Sequence, residues 1–254
     1  MIKQAVPFFF TILIALLIAG CSGNTGPAGP SLSGSMTGFV TLFQSDGSRA
    51  PDQSGVTVSI QGTSLSTTTD STGRWTIGGI STGTYTVTET KQGYGMSEQQ
   101  GLQFVGGDIA YYVGKFIMAQ PPNFFVALDP VKTIADSNAL YVSFTTSGVM
   151  KGIEIGVLVA VGADSDVTAS DPTKYLFSTT DVIVNPSGAS NILATALQSA
   201  GFTSGMPAYV VAYPLYYYVS GIGSLYSNYL DHATGRTAYT SLGAPSSVIR
   251  LIVP

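Results

Sequence analysis

The only histidine of the chain, His232, is the first residue to consider for acid–base or nucleophilic chemistry. It lies within Asp231–Gly235, a run of turn-forming residues that follows one candidate strand and precedes another. A Ser/His/Asp triad would have to use this one imidazole. The position predicts instead a surface or turn-capping histidine, and we expect no catalytic residue in the chain.

Clustered carboxylates are the second candidate for chemistry, because they suit hard cations such as calcium. Asp164, Asp166 and Asp171 lie close together in the sequence, but the spacing of an EF-hand, with its central glycine and terminal glutamate, is missing. Glu98 and Asp108 are too isolated to predict a glycosidase-type carboxylate pair. We therefore expect a solvated loop at residues 164–171, with no metal and no other cofactor.

Tyrosines form the one unusual patch. Tyr216, Tyr217 and Tyr218 are consecutive, and Tyr226 and Tyr229 follow closely. In a strand, the first and third of the three share a face and the second takes the other. Exposed tyrosines bind sugars and proteins through a flat apolar ring with a polar tip. The favoured interpretation is packing inside a tyrosine-rich sheet; the alternative is a ligand-binding surface formed by Tyr216, Tyr218, Tyr226 and Tyr229.

The composition of the chain argues against several other classes of protein. Of the 254 residues only 9% are charged, against about 25% in an average soluble domain, and 44% are apolar. Ten Lys+Arg and a net charge of −4 argue against nucleic acid as a partner. The single cysteine allows no intrachain disulfide, and the single histidine excludes a His-rich metal site.

The N-terminal segment has the features of a leader. Lys3 precedes the almost purely apolar stretch Ala5–Ile18, which is too short to span a bilayer but has the size of a signal-peptide core. Ile18-Ala19-Gly20-Cys21 then resembles the lipobox of bacterial lipoproteins. The alternative is an ordinary signal peptide that is followed by a cysteine with a free thiol. That resemblance implies that residues 1–20 are removed and that Cys21 carries the lipids.

The resemblance also implies a location. A lipidated Cys21 anchors the chain to a membrane, and Ser22, which is not aspartate, favours the outer membrane or the cell surface under the sorting rule of Gram-negative lipoproteins. Residues 21–35 are rich in Gly, Pro and Ser, which predicts a flexible tether. Two collagen-like triplets at Gly26–Pro30 are too few for a triple helix.

Residues 36–119 predict a small β-sandwich. Apolar and hydroxyl side chains alternate in Gly55–Gln61, Arg74–Gly78 and Thr84–Thr88, as in strands with one buried face. Asp70–Gly73 predicts a tight hairpin turn. Trp75 lies in one alternating run, so we expect it in the core; the alternative is a sugar-stacking platform.

A series of short motifs follows one order along this part of the chain: Gly38-Phe39-Val40, Gly55-Val56-Thr57-Val58, Gly62-Thr63, Thr68-Thr69-Asp70, Gly73-Arg74-Trp75, Gly83-Thr84-Tyr85-Thr86-Val87 and Lys91-Gln92-Gly93-Tyr94. Their order and spacing resemble the carboxypeptidase regulatory-like domain, a transthyretin-like sandwich of seven strands. The resemblance covers a third of the chain. It implies a spacer or interaction module without catalytic residues of its own.

Residues 122–254 predict a second β-sandwich, which begins after Pro121-Pro122. The candidate strands are Ala139–Thr145, Ile153–Val161, Tyr175–Ser178, Asp181–Asn185, Ala208–Tyr213, Thr237–Leu242 and Ser247–Val253. A helix is predicted over Ser190–Ala200, with Ser190 as N-cap and Gly201 as its stop. Gly201–Gly205 and the following tyrosine-rich strand resemble fibronectin type III, within the broader immunoglobulin-like class.

The sequence thus predicts an all-β chain: two tandem β-sandwich domains, transthyretin-like and then immunoglobulin/fibronectin III-like, after a lipoprotein signal peptide. We expect a non-enzymatic, lipid-anchored envelope protein that acts as a structural or interaction module. The alternative is a glycan-binding accessory lipoprotein that uses the tyrosines. The expected partners are the membrane, other envelope proteins or glycans.

Overall fold

The computed structural model describes residues 32–130, 134–136, 138–148, 155–183, 186–218, 223–225 and 228–254. For residues 216–218 and 223–225 the backbone alone is described. Nearly all of the regular structure is strand, so the all-β prediction is confirmed. No helix in these ranges is long and apolar enough to cross a membrane.

The first sandwich has the seven strands that the sequence predicts. They are β1 (Ser33–Phe43), β2 (Thr57–Ile60), β3 (Ser66–Thr68), β4 (Arg74–Ser81), β5 (Gly83–Thr90), β6 (Ser97–Phe104) and β7 (Tyr111–Ala119). One sheet has the order β4–β1–β7 and the other β3–β2–β5–β6. All pairs are antiparallel except β1 with β7, which run parallel. Strand β1 begins at Ser33, so the last three residues of the predicted tether are strand.

The alternation of apolar and polar residues in the sequence correctly predicts which side chains form the core of this sandwich. Val58 and Ile60 on β2, and Trp75 and Ile77 on β4, are all buried between the sheets. Trp75 is 2% exposed, which makes it a core residue and excludes it as a sugar-stacking platform. Burial of such side chains contributes about 25 cal/mol per Å² of apolar surface removed from water.

The turn at Asp70–Gly73 forms as predicted. The Asp70 carboxylate accepts hydrogen bonds from the backbone N–H groups of Thr72 (2.8 Å) and Arg74 (3.0 Å). Gly73 has a φ of +85°, and a Cβ there would lie 2.1 Å from the carbonyl oxygen of Val40. The turn therefore requires glycine for both its conformation and its close approach to β1.

The second sandwich follows, with β7 ending at Ala119 and β8 beginning at Phe125. Its elements are β8 (Phe125–Leu128), β9 (Ile134–Ala135), β10 (Ala139–Ser147), β11 (Ile155–Gly162), β12 (Phe177–Ile183), β13 (Ser187–Leu193), α1 (Ala194–Ser199), β14 (Pro207–Tyr218), β15 (Gly223–Leu225), β16 (Asn228–Asp231), β17 (Arg236–Tyr239) and β18 (Ile249–Ile252). One sheet is β13–β10–β8, with β9 beside β10; the other is β12–β11–β14–β15, with β18 beside β14.

Strand β11 is buried on both faces. Val157, Val159 and Val161 face the other sheet, whereas Leu158 and Ala160 belong to a second apolar cluster on the outer side. Segments 167–175 and 239–242 cover that outer side, and strand β14 adds Val211, Tyr213 and Leu215 to the same cluster. A strand covered on both faces explains the continuous apolar run of its sequence.

The predicted helix over Ser190–Ala200 is wrong in its first half. Residues 187–193 form β13, and α1 is limited to Ala194–Ser199, with Leu193 at its N-cap and no side-chain capping bond. The prediction rests on the helical spacing of the apolar residues Ile192, Leu193, Ala196, Leu197 and Ala200. In the structure Ile192 is buried in the strand and Leu197 in the helix, whereas Leu193 is exposed. Gly201, with a φ of +98°, follows the helix as predicted.

Other predicted strands have different bounds in the structure. Tyr175–Ser178 and Asp181–Asn185 were predicted as separate strands, but Phe177–Ile183 is one strand. The strand predicted at Thr237–Leu242 is Arg236–Tyr239, and it pairs with β16 in a two-stranded ribbon. We call this β16–β17 ribbon the hairpin.

A buried carboxyl group makes the first sandwich sensitive to pH. Glu89 on β5 is fully buried, and its carboxyl oxygens have no well-formed hydrogen bond among the described residues. Burial raises the pKa of this group to about 9, and the facing Ser97 offsets the effect only in part. Glu89 is therefore protonated in the folded chain at neutral pH.

Replacement of this residue tests the assignment. The unfolded chain releases the Glu89 proton near pH 4.5 and the folded chain near pH 9, so the free energy of unfolding falls as pH rises between these values, by up to about 1.4 kcal/mol per pH unit. In Glu89→Gln this pH dependence should disappear. The free energy of unfolding of the variant, relative to that of the parent, should therefore be higher at pH 8 than at pH 5. Urea unfolding at both pH values measures the gain. Glu98→Gln is the control for the loss of one carboxyl group. If the free energy of unfolding of Glu89→Gln differed from that of the parent by the same amount at both pH values, the assignment would be wrong.

Candidate functional site

The described tyrosines of the predicted group lie on two different strands. Tyr216 and Tyr218 lie on β14, where the backbone of Tyr216 pairs with Leu225 and that of Tyr218 with Gly223. Tyr226 lies outside the described residues, as does Cys21. Tyr229 lies on β16 in the hairpin, and it is the member of the group whose side-chain environment is described.

The hairpin is held by its own turn. The Asp231 carboxylate accepts hydrogen bonds from the Thr234 backbone N–H (2.7 Å) and hydroxyl (2.8 Å), and Gly235 has a φ of +68°. Bonds to the turn hold the pKa of Asp231 below its usual value, so this carboxylate stays charged. His232 lies in this turn, as predicted, and contributes a backbone amide.

Backbone contacts then fix the hairpin against the edge strand β6. The His232 N–H donates to the side-chain oxygen of Gln100 at 3.1 Å. The Thr240 hydroxyl donates to the carbonyl of Met96. Gly95 packs so tightly against this segment that a Cβ would lie 2.6 Å from the carbonyl carbon of Thr240. The first sandwich and the hairpin therefore form one continuous surface.

A groove of about 390 Å³ lies where these elements meet. Strand β6 contributes Ser97, Glu98 and Gln99, strand β7 contributes Lys115, Phe116 and Ile117, and the hairpin contributes Asn228, Tyr229 and Leu230. We call it the junction groove. Most of its lining side chains carry hydrogen-bonding groups, and three are apolar.

The carboxylate of Glu98 is oriented before any ligand binds. One oxygen accepts from the Gln61 amide at 2.8 Å, and the other accepts from the Gln100 amide at 2.6 Å. Gln61 also donates to the Thr88 hydroxyl, at 3.1 Å. Because its orientation is fixed by neighbours, this acceptor loses little side-chain entropy on binding.

Tyr229 supplies a ring and a hydrogen-bond donor in the same groove. Burial raises the pKa of its phenol, and the negative charge of Glu98 adds to the effect. The hydroxyl is therefore protonated throughout the physiological range and can donate. Asn228 and Gln99 add donors and acceptors, and Lys115 adds a positive charge.

Two of the aspartates that the sequence offers as cation ligands bind neighbouring residues instead. Asp166 forms an exposed ion pair with Lys174 at 2.5 Å, and Asp171 accepts from the Thr173 amide at 2.9 Å. Within the described ranges, no group of three or more His, Cys, Asp and Glu residues could hold a metal ion.

One motif match has a structural explanation. The letters G-x-S-x-G occur at Gly79–Gly83. The segment runs from the end of β4 into β5, whereas a nucleophile elbow joins a strand to a helix. Its serine, Ser81, is the last residue of β4 and pairs with Ser33 on β1, so the motif forms no elbow.

Sequence reasoning identified Tyr229 but missed most of the groove. Gln99, Lys115 and Asn228 were not singled out, and Glu98 was considered only as half of a carboxylate pair. No local signal marks them, because the groove is formed by residues more than a hundred positions apart.

Comparison with known families supports the assignment of the first sandwich. Residues 35–112 match the carboxypeptidase regulatory-like domain family, which is a non-catalytic domain. The match agrees with the resemblance read from the motifs. No curated protein is significantly similar to the chain.

Two solved structures show limited likeness. A chain of a type II cohesin–X–dockerin complex from Acetivibrio cellulolyticus is 26% identical over 32% of this chain, with a TM-score of 0.28, and the match spans about half (52%) of that chain's length. A proposed carbohydrate-binding protein from Bacteroides uniformis is 14% identical over 87% of this chain and 99% of its own, with a TM-score of 0.29. At these scores neither likeness carries a conclusion about this chain.

Proposed function

We propose that this chain is a non-enzymatic binding protein of the bacterial cell envelope, held to a membrane by lipid on Cys21. The junction groove is the observation that carries the binding role. It is open to solvent and lined mostly by hydrogen-bonding side chains, and the carboxylate of Glu98 among them is held by Gln61 and Gln100. The match of residues 35–112 to a non-catalytic domain family agrees with a binding role.

The lipid anchor is supported by the sequence. Ile18-Ala19-Gly20-Cys21 follows an apolar stretch of signal-peptide length, and its cysteine is the only one in the chain. Lipidation of Cys21 would leave the two sandwiches on the outer membrane or at the cell surface, as the serine at position 22 favours. There the groove would meet ligands of the envelope or of the surroundings.

The ligand that fits the groove best is a glycan. Sugar hydroxyls both donate and accept, and the groove offers an acceptor in Glu98, mixed partners in Gln99 and Asn228, and a protonated phenol in Tyr229. A tyrosine ring also provides a flat apolar surface for a sugar face. This proposal keeps Tyr229 from the predicted tyrosine group and makes it the central residue.

A glycan array of the purified protein, followed by calorimetric titration of the best ligand, tests this proposal. Tyr229→Ala should weaken binding by about tenfold or more, because it removes both the ring and the donor. Tyr112→Ala is a matched control, since Tyr112 is an exposed tyrosine outside the groove. Absence of binding to every glycan, or equal loss in the two variants, would remove the glycan proposal.

The anchor has its own test. In cells that process lipoproteins, the parent protein should partition into the detergent phase of a Triton X-114 extract, and Cys21→Ser should move to the aqueous phase. Ser22→Ala is the control for a neighbouring change that keeps the thiol. Retention of Cys21→Ser in the detergent phase would contradict attachment through this residue.

A further inference from the structure

One end of the first sandwich exposes large aliphatic side chains. Leu32 is 56% exposed where the chain enters β1, and Val105 (69%) and Ile109 (89%) lie in the connection between β6 and β7. We call these three residues the apolar tip. Branched aliphatic side chains are among the most frequently buried in proteins, so three that share one end of a domain indicate a surface with a partner.

Backbone hydrogen bonds fix the tip. The carbonyl oxygen of Leu32 accepts from the N–H (2.9 Å) and the hydroxyl (3.0 Å) of Thr82. The same hydroxyl lies 3.1 Å from the carbonyl oxygen of Val105. The Gly107 N–H donates to the Ser33 carbonyl at 3.2 Å, and a Cβ at Gly106 would lie 2.8 Å from Leu32. The exposure of these side chains therefore belongs to the folded sandwich.

The surroundings of the tip are almost uncharged. Among residues 32–34, 81–83 and 105–110, which meet at this end, Asp108 is the only charged residue. Tyr111 borders the tip; it is 40% exposed and packs edge-on against Phe104 at a centroid distance of 6.1 Å. Aliphatic tips bordered by a tyrosine suit the boundary between lipid tails and head groups, where amphipathic rings are enriched.

The position of the tip along the chain identifies its partner. Leu32 is separated from Cys21 by residues 22–31, which carry no charged residue. Fully extended, this connection spans at most about 40 Å. If Cys21 is lipidated, the tip is the part of the described chain that the tether holds nearest to the bilayer.

We propose that the apolar tip inserts into the surface of the lipid bilayer that holds Cys21. This inference rests on the proposed lipid anchor. Strands β1 and β7 run parallel away from the tip, whereas β6 runs toward it from the junction groove. Contact at the tip therefore directs the groove and the second sandwich away from the membrane, toward soluble ligands.

Depth-dependent quenching in vesicles tests the proposal on the full lipidated protein. Lipidation consumes the thiol of the only cysteine, so Ile109→Cys provides a single site for a bimane label. Ser71→Cys is the matched control, since Ser71 is exposed in the turn before β4, remote from the tip. Both labelled proteins are reconstituted into phosphatidylethanolamine–phosphatidylglycerol vesicles that contain nitroxide-labelled lipid, and are recovered by flotation.

The label at position 109 should be quenched at least about twofold more than the label at position 71. Equal quenching of the two labels in floated vesicles would overturn membrane contact at the tip and leave the anchor intact. Failure of the parent protein to float would overturn the anchor, and the tip proposal with it. The two failures are therefore distinguishable.

Discussion

The arrangement of the molecule depends on how the edge of β6 is covered. A free edge strand presents unpaired backbone groups that invite association with other chains. Here the hairpin, a late segment of the chain, lies against β6 and is fixed by the His232–Gln100 and Thr240–Met96 hydrogen bonds. Gly95 permits the close approach, since any larger residue would collide with Thr240. One interaction thus protects the edge and joins the two halves of the chain.

The same contact produces the junction groove. The hairpin leaves a gap between itself and strands β6 and β7, and the polar side chains of these elements line it. Gln100 has two roles there, because its oxygen accepts from His232 while its amide donates to Glu98. The residue that docks the hairpin also orients the acceptor of the groove. The architecture and the proposed binding site are therefore coupled through a single side chain.

The first sandwich was largely predictable from sequence because its signals are local. Alternation in Arg74–Gly78 placed Trp75 in the core, and Asp70 and Gly73 define a turn whose chemistry is contained in four residues. The second half was less predictable, since the apolar spacing of Ile192, Leu193 and Leu197 continues across a strand-to-helix change and imitates one helix. The ribbon pairing of Thr237 was missed because its partner strand is not marked by alternation. The groove was hidden for a further reason: Glu98 and Asn228 are brought together only by packing between distant segments.

Low charge is consistent with this architecture. Only 9% of the residues are charged, and hydroxyl and amide side chains take the place of charged ones on many exposed strand faces and in the groove. Such a surface contributes little long-range electrostatic attraction, so the proposed recognition of a ligand depends on hydrogen bonds and ring contacts at short range. The apolar tip and the polar groove lie at opposite ends of β6, which separates the proposed membrane contact from the proposed binding site.

The contacts between the hairpin and β6 join the two sandwiches, so we expect the sandwiches to unfold as one unit. Differential scanning calorimetry of the purified protein measures this, because independently folded domains unfold separately. We predict one cooperative transition whose calorimetric and van't Hoff enthalpies agree. Two resolved transitions, one for each sandwich, would show that the hairpin does not couple their unfolding.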